Sequence, residues 1–322
     1  MKRVLLLGGT GWLGREVARA FRDGGAEVVC LARGDSGAVP TGVELIRMNR
    51  LASDAYAAVA GDWDEVVEFS HEPELVAPAL DALAESARHW TVISSVSVYA
   101  DDAKPHADET AEVIVPRDLA EYADAKVATE QATAARLEDR LLIVRPGLIV
   151  GPGDPSDRFG YWPARFLRGG RVLHPRIDGR FVQVIDVADL AEWIAYAGRE
   201  QVLGTVNAVG EIHTLKDFFL AASAAAGLDG ELISAGDEAL LAADIRYWSG
   251  PRSLPLWLPN SAHGFAQRDG SRFLRSGGSL RTLEDTLSRV IADEVDRGID
   301  RSRRSGLTPD EEDQVLRSVL PF

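Results

Sequence analysis

Tyr122 and Lys126 are four positions apart in a stretch with helical character. Residues at that spacing share one face of an α-helix, so the phenol and the amine are expected to lie side by side. A phenol has an ordinary pKa of about 10, and a neighbouring ammonium lowers that pKa because it favours the phenolate. The pair therefore predicts an acid and base that works near neutral pH.

A serine hydroxyl completes the set of groups that could carry out a reaction. Ser95 follows a short apolar run at residues 91–93, which predicts a strand, and Ser97 is the alternative hydroxyl. A hydroxyl at the carboxyl edge of a strand can hydrogen-bond a substrate oxygen and stabilise its developing charge. Together the phenol, amine and hydroxyl fit hydride transfer beside a bound cofactor.

Three glycines, Gly8, Gly11 and Gly14, lie between a predicted strand at 4–7 and a predicted helix at 15–21. The first glycine permits a sharp turn, the second lets the backbone approach a pyrophosphate, and the third allows close helix packing. The helix N-terminus adds free N–H groups and a partial positive charge. The segment predicts a dinucleotide site, whose further contacts are Thr10, Trp12 and Leu13.

The end of the second predicted strand bears on the choice of cofactor. An NAD site commonly has a carboxylate there for the ribose 2′-OH, whereas this chain continues into Arg33. The Arg33 guanidinium could bind a 2′-phosphate, which favours NADP. Asp35 lies nearby, so NAD stays an alternative.

Short apolar runs alternate with helical stretches through the first half of the chain. The predicted strands are 4–7, 27–31, 43–46, 65–69, 91–93 and 141–145. Their continuous apolar character indicates burial on both faces of a parallel sheet, between crossover helices. We therefore predict an α/β fold with a doubly wound parallel Rossmann sheet and a smaller C-terminal substrate-binding subdomain.

A stretch rich in proline and glycine from 146 to 155 indicates a boundary. Regular alternation resumes with a strand at 182–185, a helix at 187–197 and a strand at 206–209. We assign residues 1–150 and 181–210 to the NAD(P)-binding Rossmann domain, and residues 151–180 and 211–322 to the substrate-binding subdomain.

Charge and composition limit the partners. The 322 residues include 35 basic and 50 acidic side chains, a formal net charge of −15 that disfavours nucleic acid and anionic membranes. No apolar run reaches the ~18 residues of a membrane span. Cys30 is the single cysteine, and we expect it to be buried. These features predict a cytoplasmic protein that acts on a small molecule, with no metal site.

The order of these motifs resembles the extended short-chain dehydrogenase/reductases, the family of nucleotide-sugar epimerases and dehydratases. The glycine loop is followed by the serine-rich strand end and then by Tyr122, 27 residues beyond Ser95. Residues 145–153 (RPGLIVGPG) are similar to the family's RPxxxxGPG, and residues 186–191 (DVADLA) are similar to its HVxDLA. The resemblance extends to about residue 295.

The resemblance implies roles for further residues. Tyr99, four residues after Ser95, matches a family tyrosine and selects Ser95 as the catalytic hydroxyl. Lys126 also holds the nicotinamide ribose, and Asn49 replaces an aspartate that contacts adenine. A homodimer formed through two helices of each subunit is the expected assembly. The segment that borders the nicotinamide carboxamide is Pro146, Gly147 and Leu148.

Two departures from the family pattern narrow the reaction. A dehydratase carries an Asp-Glu pair directly after the catalytic hydroxyl, where this chain has Val96 and Ser97. The epimerases have an arginine for the substrate diphosphate four residues before the His of HVxDLA, and Val182 stands there. Arg180 could replace it only through a backbone bulge, so a nucleotide-sugar substrate is disfavoured.

Residues 157–166 (DRFGYWPARF) follow the proline- and glycine-rich segment and offer substrate contacts. Aromatic rings stack on flat ligands, and arginines bind anions. The alternative is that the rings pack the subdomain while the arginines form ion pairs. The candidates are Arg158, Tyr161, Trp162 and Arg165. His71 could face the nicotinamide ribose, although a solvated or packed histidine is more common.

Three functions remain open at this point. The first is an NADP(H)-dependent oxidoreductase that interconverts a secondary alcohol and a ketone on a small substrate, with a sugar derivative as one option. The second is a sugar or nucleotide-sugar epimerase with tightly bound NAD. The third is a non-catalytic NADP-sensing protein, which the presence of both Tyr122 and Lys126 disfavours.

Overall fold

The computed structural model describes residues 2–137 and 139–319. Its centre is a parallel sheet of seven strands in the order β10-β6-β5-β4-β1-β2-β3, which confirms the predicted doubly wound sheet. The strands are β1 (Arg3–Leu7), β2 (Glu27–Ala32), β3 (Glu44–Arg47), β4 (Glu65–Glu68), β5 (Trp90–Ile93), β6 (Leu141–Pro146) and β10 (Gly204–Ala208).

Helices cover both faces of this sheet. On one face, α1 (Trp12–Asp23) packs against α5 (Val187–Glu200), and on the other, α2 (Pro73–Leu83) packs against α3 (Tyr122–Leu137). Side chains of β1 alternate between the two layers, since Leu6 is buried with α1 and α5 while Leu5 is buried with α2. This double burial explains the continuous apolar strands of the sequence.

The second part of the chain has small sheets of its own. One contains β7 (Leu148–Val150), β9 (Phe181–Asp186) and β11 (Ile212–Thr214). The predicted strand at 182–185 therefore joins this sheet, and the chain returns to the central sheet only at β10. The remaining pairs are β8 (Gly170–Pro175) with β12 (Gly230–Ala235), and β13 (Arg246–Trp248) with β14 (Ser253–Pro255).

A separate hydrophobic core lies among these smaller elements, around Trp162, Phe219 and Trp257. Thr308 and Glu311 exchange hydrogen bonds at the start of the last described helix and form a capping box. The assignment of residues to two domains stays a prediction. The helices of this part are α4 (Arg158–Leu167), α6 (Leu215–Ala226), α7 (Asp237–Ala242), α8 (Ser271–Arg275), α9 (Leu283–Arg297) and α10 (Pro309–Val319).

Cys30 is buried, as expected. Within residues 2–137 and 139–319, none of the helices combines the length and the apolar character that a membrane crossing requires.

Candidate active site

The glycine loop has the geometry that its three glycines predict. Gly8 has a φ of +100°, which turns the chain at the end of β1. A Cβ on Gly14 would lie 2.8 Å from the Gly9 Cα, so helix and loop touch at this point. A Cβ on Gly11 would meet nothing closer than the Gly8 carbonyl oxygen at 4.0 Å. The middle of the loop is therefore open to a ligand.

The start of α1 supplies donors to this open surface. Gly11 is the N-cap residue and no side chain caps the helix, so backbone N–H groups of its first turn remain free for an anion. The Trp12 indole N–H donates to the Pro152 carbonyl (2.8 Å). Trp12 thus ties the loop to the turn after β7 with its side chain and leaves its backbone to the ligand.

A cleft of about 620 Å³ opens between the glycine loop, the end of β5 and α3. It brings together most of the residues predicted from the sequence, although they are far apart along the chain. The predicted residues that line it are Gly8, Gly11, Trp12, Leu13, Gly14, Ser95, Ser97, Tyr122, Lys126, Pro146, Gly147, Leu148 and Arg158.

Ser95 and Tyr122 form the polar centre of the cleft. Ser95 Oγ accepts the Ser97 backbone N–H (3.1 Å) and donates to Ser97 Oγ (3.1 Å). Tyr122 is the first residue of α3, and 48% of it is exposed. Its ring meets the His71 ring edge to face, with 5.2 Å between centroids. The phenol is thus accessible to a substrate.

The expected effect of Lys126 on the Tyr122 pKa is wrong for this geometry. Displacement of water by surrounding protein raises the pKa of Tyr122, while a hydrogen bond with Ser95 and the charge of Arg158 oppose the rise. The Lys126 ammonium donates to the Ile93 carbonyl (2.5 Å) and lies 5.7 Å from the Tyr122 ring centroid. The amine is therefore directed at β5 rather than at the phenol oxygen.

Burial has a strong effect on Lys126 itself. Desolvation lowers the pKa of its ammonium to about 8, although the carboxylates of Glu68, Glu72 and Glu130 favour the charged form. These three carboxylates, rather than solvent, stabilise the buried ammonium. Lys126 is consequently able to change protonation state close to physiological pH.

His71 lies in the cleft, whereas the sequence favoured a solvated or packed histidine at this position. It lines the cleft beside Tyr122, and burial followed by the charge of Lys126 lowers the pKa of its imidazole. Both effects favour the neutral form of the ring. Its position directly after β4, at the edge where the strands end, was the signal for this location.

Several predicted residues do not reach the cleft. Tyr161 and Trp162 belong to the second core, where the packing alternative holds, and Arg165 is buried against Glu312. Arg180 pairs with Asp237 (2.5 Å) and also donates to the Leu258 carbonyl.

The residues predicted for the adenosine end of the cofactor lie on the surface. Arg33 is exposed and pairs with Asp35 (3.3 Å). Asn49 is exposed as well, and its side-chain oxygen accepts the Leu51 backbone N–H (3.1 Å). Neither residue lines the cleft, so their contacts with a cofactor stay predictions.

Tertiary packing adds cleft residues that the sequence did not indicate. Trp248 and Phe265 come from the second part of the chain and form an aromatic wall, with ring centroids 5.5 Å apart. Asp154 and Ser156 line the side nearest Arg158. No local pattern marks Trp248 and Phe265, because they reach the cleft only through the folding of distant segments. Asp154 and Ser156 lie between the predicted cleft residues 148 and 158.

The cleft combines a glycine loop at the end of the first parallel strand with a serine, a tyrosine and a lysine, which is the arrangement expected of a dinucleotide-binding α/β protein. The model of the NAD dependent epimerase/dehydratase family matches residues 4–210, and the chain belongs to this family.

Curated relatives include both epimerase-type proteins and a reductase. An epimerase family protein of Mus musculus is 26% identical over 230 residues, which are 66% of this chain and 76% of the mouse protein. The 2'-dehydrokanamycin reductase of Streptomyces kanamyceticus is 32% identical over 182 residues, which are 53% of this chain and 51% of the reductase. The match thus spans about half of the reductase.

Solved structures share the fold over almost the whole chain. UDP-N-acetylglucosamine 4-epimerase from Bacillus cereus has a TM-score of 0.69 at 17% identity, with coverage of 94% of this chain and 99% of that one. UDP-glucose 4-epimerase from Thermus thermophilus, solved in complex with NAD, has a TM-score of 0.65 at 19% identity, with coverage of 90% and 98%.

Proposed function

We propose that this protein is an NAD(P)-dependent oxidoreductase that interconverts a secondary alcohol and a ketone of a small substrate. The observation that carries the proposal is the joint presence of Ser95, Tyr122 and Lys126 in the cleft that the open glycine loop borders. The loop fits the cofactor, because Gly11 leaves room for a pyrophosphate and the start of α1 has no side-chain cap.

Each side chain has a separate task in this proposal. Tyr122 exchanges a proton with the substrate oxygen, and Ser95 orients that oxygen through its hydroxyl. Lys126 binds the nicotinamide ribose. When bound, the nicotinamide supplies the group that donates or accepts the hydride. Pro146, Gly147 and Leu148 line the cleft where we expect its carboxamide.

An epimerase is the second candidate, because the family and the solved neighbours include epimerases. The residues at the position where epimerases bind the substrate diphosphate, Val182 and Arg180, argue against a nucleotide-sugar substrate. Val182 is buried in the second core, and Arg180 is held by Asp237 away from the cleft. A sensing protein without turnover is less favoured, since Tyr122 and Lys126 are both in the cleft.

One experiment separates these functions. Protein purified under native conditions is analysed by mass spectrometry for retained nucleotide, and turnover is then followed at about 340 nm, where the reduced nicotinamide absorbs. Net change in absorbance with a ketone or alcohol supports the oxidoreductase. Retained nucleotide with no net change during conversion of a sugar supports the epimerase. Absence of both nucleotide binding and turnover contradicts the proposal.

Arg33 is proposed to favour NADP over NAD. Arg33 directly follows β2, and the Arg47 guanidinium on β3 donates to the Arg33 carbonyl (3.5 Å). Two guanidinium groups therefore lie near the carboxyl end of β2. We expect Arg33→Ala to weaken NADP binding about 10- to 100-fold, since a hydrogen bond to a charged group contributes about 1.5–3 kcal/mol. NAD affinity should change less than about twofold. Isothermal titration with both nucleotides measures the difference.

Arg19→Ala serves as the matched control, because Arg19 is an α1 surface residue paired with Glu16. Equal weakening of NAD and NADP by Arg33→Ala, or no weakening of either, contradicts the role of Arg33.

Lys126 predicts a pH dependence of turnover. Its ammonium is present below a pKa of about 8 and is lost above it. Lys126 binds the nicotinamide ribose in our proposal, and its ammonium is a stronger hydrogen-bond donor than the neutral amine, so we expect kcat/KM for ketone reduction to fall as pH rises through about 8. Residual activity of Lys126→Arg should lack this decline, because arginine stays protonated. A wild-type profile that is flat to about pH 9.5, near the ordinary lysine value of about 10.4, contradicts the prediction.

A further inference from the structure

Arg158 is a cation in the cleft without a carboxylate partner. It is the first residue of α4 and is half-buried. Its Nε donates to Ser156 Oγ (3.1 Å), and in the described part of the chain no carboxylate oxygen lies within 4.0 Å of its nitrogens. A guanidinium has five N–H donors, so most of those of Arg158 remain available to a ligand.

The other arginines removed from solvent contrast with Arg158. Each of the five fully buried arginines has a carboxylate partner, as expected for charges inside a protein. The pairs are Arg50 with Glu68, Arg145 with Glu130, Arg165 with Glu312, Arg180 with Asp237, and Arg268 with Asp102. This chain therefore pairs its fully buried guanidinium groups consistently, whereas Arg158, which is half-buried in the cleft, has no such partner among the described residues.

Asp154 is the carboxylate that lines the cleft nearest to Arg158, and its bonds are made elsewhere. It accepts the Ser156 backbone N–H (2.8 Å) and the Ser156 hydroxyl (2.9 Å). Burial raises its pKa, while the hydrogen bonds with Ser156 and the charge of Arg158 oppose the rise. Asp154 thus positions Ser156, which in turn holds Arg158, and leaves the outer guanidinium nitrogens free.

Trp248 fixes the guanidinium from the other side. The Arg158 Cζ lies 5.1 Å from the centroid of the indole, within the range of a cation–π contact. Trp248 has a φ of +69°, and Arg252 and Leu256 in the same segment have φ of 54° and 66°. Left-handed backbone at three non-glycine residues is strained, and such strain concentrates at functional sites. The segment directs a large ring into the cleft despite this strain.

We propose that Arg158 and Trp248 form an anion subsite, and that the substrate is an alcohol or ketone carrying a carboxylate or phosphate next to a ring. The inference rests on the proposed function, because it places the anion in the cleft of Tyr122. A dedicated cation is needed there, since the net charge of −15 repels an anionic substrate at longer range. The aromatic wall of Trp248 and Phe265 suits a flat or apolar ring.

Binding of matched small probes tests the subsite without knowledge of the substrate. Benzoate, phenyl phosphate and neutral benzamide are titrated into NADP-saturated protein by calorimetry and ligand-observed NMR. We expect benzoate or phenyl phosphate to bind at least about tenfold more tightly than benzamide. The tighter of the two anions identifies a carboxylate or a phosphate as the group recognised.

Variants assign that preference to Arg158. Arg158→Gln should remove the tenfold advantage of the anion and leave benzamide affinity unchanged, whereas Trp248→Leu should weaken all three probes. Arg176→Gln is the control, because Arg176 is an exposed arginine of the same part of the chain. Circular dichroism checks that each variant is folded.

Equal affinity of wild-type protein for anionic and neutral probes, absence of binding of all three, or an Arg158→Gln variant that keeps the preference would overturn the subsite. Nucleotide affinity is measured on the same samples. Normal NADP or NAD binding with no preference among probes rejects the subsite alone, whereas absence of nucleotide binding rejects the proposed function.

Discussion

Tyr122→Phe is expected to lower kcat for ketone reduction by about 10²- to 10⁴-fold, the usual contribution of a positioned acid or base. The substitution removes only the phenol oxygen, which is the proton donor in our proposal. Its ring contact with His71 should persist, because that contact involves ring atoms. Affinity for the nucleotide should change less than about twofold, since the glycine loop is untouched.

The measurement is the absorbance at about 340 nm with reduced nucleotide and a ketone that the wild-type protein reduces, with benzoylformate among those screened. Benzoylformate combines a ketone, a ring and a carboxylate, which are the features inferred for the substrate. Tyr196→Phe removes the same atom from a tyrosine of α5 outside the cleft and should keep full activity. A Tyr122→Phe variant with more than about a tenth of the wild-type rate would exclude Tyr122 as the main proton donor.

The predictions that succeeded depend on short stretches of chain. Gly8 needs its positive φ, and Gly14 its close approach to Gly9, because of atoms within six residues. The spacing of Tyr122 and Lys126 fixes their shared helix face in the same local way. Loop and helix could therefore be inferred from the sequence, and the parallel sheet then brings them to one cleft.

The predictions that failed required knowledge of tertiary surroundings. Lys126 donates to the Ile93 carbonyl, and its distance from the phenol depends on how α3 packs on β5. From the sequence, Tyr161 and Trp162 could contact substrate or pack a core, and only their neighbours decide between the two. Those neighbours belong to the second core. The strand at β9 has the apolar run of a central strand, yet its partners are β7 and β11. Composition does not specify which sheet receives such a strand.

The C-terminal helix α10, which the family match does not include, contacts the helix α4 that begins with Arg158. Glu312 on α10 accepts from Arg165 Nε (2.5 Å) and from the Leu173 backbone N–H (2.9 Å). Arg165 belongs to α4, the helix that begins with Arg158. A single buried carboxylate therefore joins α10, α4 and β8 and supports the wall of the cleft.

Glu312→Ala should destabilise the protein by about 3–5 kcal/mol, because it leaves the buried guanidinium of Arg165 without its counter-ion and the Leu173 N–H without an acceptor. Urea unfolding measures the change. Asp313→Ala on the exposed side of the same helix removes an equal charge and should change stability by less than about 0.5 kcal/mol.

The double variant Arg165→Met/Glu312→Leu distinguishes loss of a counter-ion from simple loss of packing. Removal of both charges leaves no unpaired ion, so most of the stability lost in Glu312→Ala should return. If the double variant is as unstable as Glu312→Ala, the backbone contacts of Glu312 and Arg165 outweigh their mutual attraction. Benzoate affinity should fall in Glu312→Ala as well, since displacement of α4 moves Arg158 away from Trp248. That coupling would connect the last helix of the chain to substrate recognition at the opposite end of α4.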